Sequence, residues 1–123
     1  QEVLGPFHLV PFSVGQARAE EVAEVLDLLW GGPETLVVIS SDLSHYHDYD
    51  AARDLDAATT RAIESLDPGC LGEQSACGRI PVSGLLLTAR RRGLAVRTLD
   101  IRSSGDTAGT RDRVVGYGAW SLA

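Results

Sequence analysis

The sequence predicts an α/β domain: a mixed sheet with flanking helices. Short runs rich in β-branched and aromatic residues recur at positions 7–14, 35–39, 95–102 and 114–119, and such residues suit a pleated, packed surface. Between them lie stretches whose apolar residues recur every three to four positions, the period of an amphipathic helix. The chain has 123 residues, of which 44% are hydrophobic. That is enough for a single domain over residues 1–123 with a modest core.

The first run, 7–14, holds Pro11, which donates no ladder hydrogen bond, so it is expected at a sheet edge or a bulge. His8 then reads as a solvent-facing strand residue. A first helix is expected over Ala19–Leu29. Val22, Val25, Leu26 and Leu29 share one face, with Glu20, Glu21, Glu24 and Asp27 on the other. Gly31, Gly32 and Pro33 end it, because glycine accepts a left-handed cap and proline cannot continue a helix. A buried central strand follows at 35–39. The strand, helix, strand order predicts a parallel pair with a right-handed crossover.

A polar loop comes next, Ser40-Ser41-Asp42-Leu43-Ser44-His45, continuing through His47 and Asp48. A second helix is expected over 50–65, with Ala51, Leu55, Ala58, Ala62 and Leu66 as its apolar stripe and acidic residues in the first turn, where the helix dipole favours them. Pro68, Gly69 and Gly72 punctuate a loop. Pro81 suits the first turn of a third helix over 81–92. Its end, Arg90-Arg91-Arg92, reads as a solvated C-terminus where cations complement the dipole. Two strands close the chain, joined by residues 103–110. The glycines there lack the lysine and following helix of a phosphate loop.

Composition removes several function classes. The net charge of −6 argues against binding a nucleic-acid backbone. No run approaches the ~18 apolar residues of a membrane span. No charged-then-apolar leader is visible, so a cytoplasmic protein is expected. All 11 basic residues are arginine, a bias of the kind GC-rich bacterial genomes encode. Cys70 and Cys77 are expected as free thiols, since nothing marks a secretory context.

Two stretches carry chemistry. Asp42 and His45 can meet across a tight turn just beyond a strand's carboxyl end, where open α/β sheets bind ligands. The carboxylate would then orient one nitrogen of the imidazole. A capping loop, with Ser40, Ser41 and Asp42 bonding local backbone, explains the same residues. Cys77 falls just before a helix N-terminus, a place that favours a thiolate. A small buried hydrophobe is the plainer role for a free cysteine. His45 and His47 would share a face only if that segment were extended. As a loop, it leaves His47 exposed.

Together the stretches resemble the Memo-like family, the group that includes AmmeMemoRadiSam system protein B. The resemblance rests on Ser40-Ser41-Asp42-Leu43-Ser44-His45, on Ala76-Cys77-Gly78-Arg79 followed by Pro81, and on Ser104-Gly105-Asp106 followed by Arg113-Val114-Val115-Gly116-Tyr117. The three occur in the family's order and the match runs from about Leu4 to the end. The resemblance implies an α/β fold related to class III extradiol dioxygenases, of which this chain would be the C-terminal half. It implies Cys77 as a metal ligand, and Asp42 and His45 as cleft residues, with His45 matching the acid/base histidine of the dioxygenases. The two N-terminal histidine ligands of the family have no counterpart here. The cofactor implied is iron or copper in the longer protein, with the short chain expected to be metal-free. The partners implied are the missing N-terminal half and a small-molecule substrate, with self-association of the short chain. Two functions stay open: metal-dependent redox or dioxygenase-like chemistry, and a scaffold that binds a ligand or peptide in the same cleft.

Overall fold

A computed structural model describes Val3, residues 5–107 and residues 109–123. Leu4, where the resemblance begins, and Ala108, in the connection between the last two strands, lie outside the described residues. Three helices and three strands follow in the order α1 (Ala19–Leu29), β1 (His45–His47), α2 (Tyr49–Glu64), α3 (Arg79–Arg92), β2 (Val96–Ser103) and β3 (Val114–Leu122). The α/β class holds.

α1 has the expected bounds. The Glu21 carboxylate accepts the Arg18 backbone N–H at 2.8 Å, satisfying one of the donors a helix start leaves open. α1 packs along α3, and Gly84 lets the two approach: a Cβ there would lie 2.4 Å from Val22 Cγ1. At the far end Asp27 accepts from Arg91 at 2.8 Å and from Arg92 at 3.3 Å. Two arginines of the cluster expected to be merely solvated are therefore tied to α1, and Arg92 also lies over the Trp30 ring.

α2 starts on an Asp48 cap, whose carboxylate accepts the Ala51 N–H at 3.0 Å. Its buried face is Ala52, Asp56, Thr59, Ala62 and Ile63; of the expected apolar stripe Ala62 is buried and Leu66 packs on the core, Ala51 and Leu55 are half-buried and Ala58 is exposed. Two polar residues point inward because each has a partner. Asp56 takes the Ser44 N–H, and the Thr59 hydroxyl donates to Leu55 O. α2 and α3 enclose the core of Ala62, Ile63, Leu71 and Leu86, against which Leu66, Val82, Val96 and Trp120 pack.

The sheet has the order β1-β3-β2, antiparallel throughout. β2 and β3 form a hairpin that Ala95 and Ala123 extend with reciprocal backbone bonds of 2.8 and 3.1 Å. Between the strands, Asp106 accepts the Ser103 N–H and the Tyr49 hydroxyl, and Ser104 Oγ accepts the Val115 N–H. These bonds pin the connection to α2.

Two expectations need correction. Residues 7–14 and 35–39 form no strand, so the parallel strand, helix, strand unit is absent among the described residues. The strand-forming side chains are there, but no strand among the described residues pairs with them. Leu36 and Val38 remain 76% and 73% exposed. The segment expected as a loop around His45 is instead a short strand, paired to β3 through His45–Val115 and His47–Val114 with an irregular register between. Tyr46 takes a left-handed φ of 62° to make that irregularity, a costly conformation for an aromatic residue.

Candidate metal centre

The site forms where the segment entering β1 meets the turn before α3. Cys77 precedes the Gly78 that starts α3, as its sequence position implied. It is a free thiol and exposed, as is Cys70, so the role of buried hydrophobe does not apply. The two segments clasp each other through backbone and side chain. The Asp42 N–H donates to Cys77 Sγ at 3.2 Å, and the Cys77 N–H donates to Asp42 O at 3.3 Å. Ser41 Oγ accepts the Gly78 N–H at 2.8 Å, donates to Asp42 O at 2.7 Å, and stands 3.7 Å from Cys77 Sγ. Gly78 is required by this clasp, because a Cβ there would lie 2.7 Å from Ser41 Cβ.

His45 turns back onto Asp42, with Nε2 3.4 Å from Oδ2. The side chains keep 37% and 48% of their surface, so the pair faces solvent and the ion-pair contribution is small. One ligand atom each from Asp42, His45 and Cys77 fall within 4.8 Å of one another. The three residues singled out from sequence are thus brought together.

Beside them opens a cleft of about 400 Å³ lined by Leu43, His45, His47, Glu73, Gln74, Ala76 and Cys77. His47, expected to be an exposed loop residue, is half-buried in this wall. It lines the cleft with His45 across the irregularity at Tyr46, yet it stays outside the three-residue cluster. Glu73 and Gln74 carry no sequence signal that points to the cleft. Ser41, read as a capping residue, does bond adjacent backbone at Asp42 O, but its bond to the Gly78 N–H is long-range and nothing local in the chain reveals it. The third motif divides: Val114–Gly116 run beside the site segment in β3, whereas Asp106 binds Tyr49 at the α2 end, and Arg111 and Arg53 flank the Tyr49 ring. Its hydrogen bonds hold the Asp106 carboxyl below the usual carboxylate range, and the same bond pushes the Tyr49 phenol up.

The donor set fits a thiophilic cation. Ligands around a four-coordinate ion with bonds of about 2.0–2.3 Å sit roughly 3.3–3.8 Å apart, a spacing the cluster reaches with sub-ångström to ångström adjustments. One sulfur, one imidazole nitrogen and one carboxylate oxygen suit iron, copper or zinc better than magnesium or calcium.

Fold and cluster together define a small α/β domain with a candidate metal-binding cleft. The chain belongs to the Memo-like family, whose model, described as Memo-like protein, matches residues 1–121. A MEMO1 family protein of Thermotoga maritima is 35% identical over 127 residues, covering 95% of this chain and 45% of the relative. One from Sulfolobus acidocaldarius is 35% identical over 122 residues, covering 90% and 43%. One from Methanosarcina mazei is 29% identical over 125 residues, covering 92% and 47%. The chain thus spans a little under half the length of the curated relatives it matches. Among the described residues no helix is long and apolar enough to cross a membrane.

Proposed function

We propose that this chain contributes the Cys77 side of a metal-dependent active site that carries out redox or dioxygenase-like chemistry on a small molecule. The observation that carries the proposal is the convergence of Asp42, His45 and Cys77 donor atoms within 4.8 Å at the edge of an open cleft. Cys77 Sγ would hold the metal, iron or copper, with His45 and Asp42 beside it and left to handle a proton. Such a cation supplies Lewis acidity and, for iron or copper, a change of oxidation state. The chain's own residues do the rest. Asp42 orients the His45 ring, and His45 holds or moves a proton for a substrate seated in the cleft. The Asp42 N–H and Ser41 fix the position of Sγ. His47, Glu73 and Gln74 line the wall that a substrate would touch.

The partner that completes the site is the remaining half of a Memo-like polypeptide. Residues 7–14 and 35–39 support this, since they carry strand-forming side chains in the open with no strand beside them. The length of the relatives supports it too.

Elemental analysis tests the reading, applied to the 123-residue chain and to a Memo-like polypeptide that contains it. The expected result is about one iron or copper per longer chain, lost in Cys77→Ser. Metal content unchanged by Cys77→Ser overturns it. If neither form binds metal, the cleft is a ligand- or peptide-binding surface instead.

A further inference from the structure

We propose that Asp56 is a positioning residue of the Cys77 centre, holding the Asp42-to-His45 segment in register from the opposite side of the strand. Asp56 projects from α2 and is only 3% exposed. Aspartate is seldom buried unless something pairs with it. Here Oδ1 accepts the Ser44 N–H at 3.0 Å, twelve residues away in sequence. Ser44 itself is fully buried, so without Asp56 its N–H would be left without an acceptor and without water.

The other groups of the same dipeptide are fixed by β3. The Leu43 N–H donates to Gly116 O and the Gly116 N–H donates to Ser44 O, both at 2.9 Å. Gly116 also makes room for the carboxyl group, because a Cβ there would lie 1.9 Å from Asp56 Oδ2. Leu43 and Ser44 are therefore anchored on two sides, by β3 and by Asp56. Asp42 and His45, whose side chains meet at 3.4 Å, are the residues flanking that anchored pair. A site of this kind depends on how firmly its supporting hydrogen bonds hold the ligand-bearing backbone. Asp56 reaches no atom of the cluster and acts only through Ser44.

This inference rests on the metal-centre reading, and the test separates the two. Co²⁺ is titrated into a Memo-like polypeptide that contains this chain, as wild type and as Asp56→Ala, Asp56→Asn, Thr59→Ala and Cys77→Ser, following the thiolate-to-cobalt absorption. Asp56→Ala is expected to weaken Co²⁺ binding by about tenfold or more and to shift the ligand-field bands. Asp56→Asn keeps an acceptor at Oδ1 and is expected to restore both. Thr59→Ala removes a buried polar group of the same helix that is bonded only to Leu55 O, and is expected to leave the spectrum unchanged. A folded Asp56→Ala with wild-type affinity and spectrum overturns the proposal.

If Cys77→Ser binds Co²⁺ as wild type does, or the wild-type longer polypeptide binds none, the metal-centre reading fails. Asp56 is then judged by the Ser44 amide in the wild-type chain. Slow hydrogen exchange there, retained in Asp56→Asn, supports the positioning bond. Exchange as fast as that of exposed loop amides overturns it, and this measurement decides equally where Asp56→Ala does not fold.

Discussion

At the scale of single residues, the centre depends on small side chains as much as on the three that bear donor atoms. Gly78 is expected to tolerate nothing larger. Gly78→Ala presses a methyl onto Ser41 and should cost about 1–3 kcal/mol, the usual range for overpacking. A chemical-denaturation series measures the loss, and alkylation of Cys77 in the same variant reports whether the clasp with Asp42 has opened. The Tyr49–Asp106 contact gives a pH signature. Asp106 has its folded-state carboxyl held low, so its contribution is present above the ordinary carboxylate range and is lost as pH falls through the lowered value. Tyr49 has its phenol pushed above the ordinary value of 10.0. Its contribution is present below that value and is lost as pH rises through the raised one. Tyr49 is therefore expected to ionise above its ordinary range in an ultraviolet titration, and Asp106→Asn should bring it back toward that range.

At the scale of elements, the amphipathic helices were legible and the pairing of the strands was not. α1 matches its expected bounds because its apolar period, acidic face and glycine-proline stop all agree. α3 begins two residues before Pro81, which still sits in the first turn. The inward face of α2 was misread at Asp56 and Thr59, since hydrophobic periodicity cannot register a polar residue whose partner lies outside the helix. The strand at His45–His47 was missed for a related reason: its sequence is polar and its pairing comes from β3, about seventy residues further on. The members of the candidate cluster were legible because Asp42, His45 and Cys77 sit in recognisable motifs, whereas the clasp through Ser41 and Gly78 depends on a long-range contact. The packing of α1 on α3 yields its own expectation. Gly84→Ala places a methyl 2.4 Å from Val22 Cγ1, and Val22→Ala should recover part of the roughly 1–3 kcal/mol lost. A double-mutant cycle in thermal unfolding measures that coupling.

At the scale of the whole molecule, much apolar surface faces outward on one part of the chain. Leu9, Val10 and Phe12 are 73%, 70% and 63% exposed, and they belong to the same extended stretch that lacks a neighbouring strand. Unpaired backbone beside exposed apolar side chains is a template for pairing with another chain. The isolated 123-residue chain is therefore expected to self-associate with rising concentration in size-exclusion chromatography. Replacing Leu9 and Phe12 together with serine should shift it toward monomer, and the remaining half of a Memo-like polypeptide should compete for the same surface. A concentration-independent monomer would contradict this.

The clasp between Ser41–Asp42 and Cys77–Gly78 also has a consequence in time. It joins residues 35 to 37 positions apart, so a long loop must close before any of its bonds can form, and non-local contacts of this kind are made slowly. The helical turns of α2 need no such closure. During refolding the Asp42 amide should gain protection from hydrogen exchange after the amides of α2, so the chain would acquire its helices first and its candidate site last.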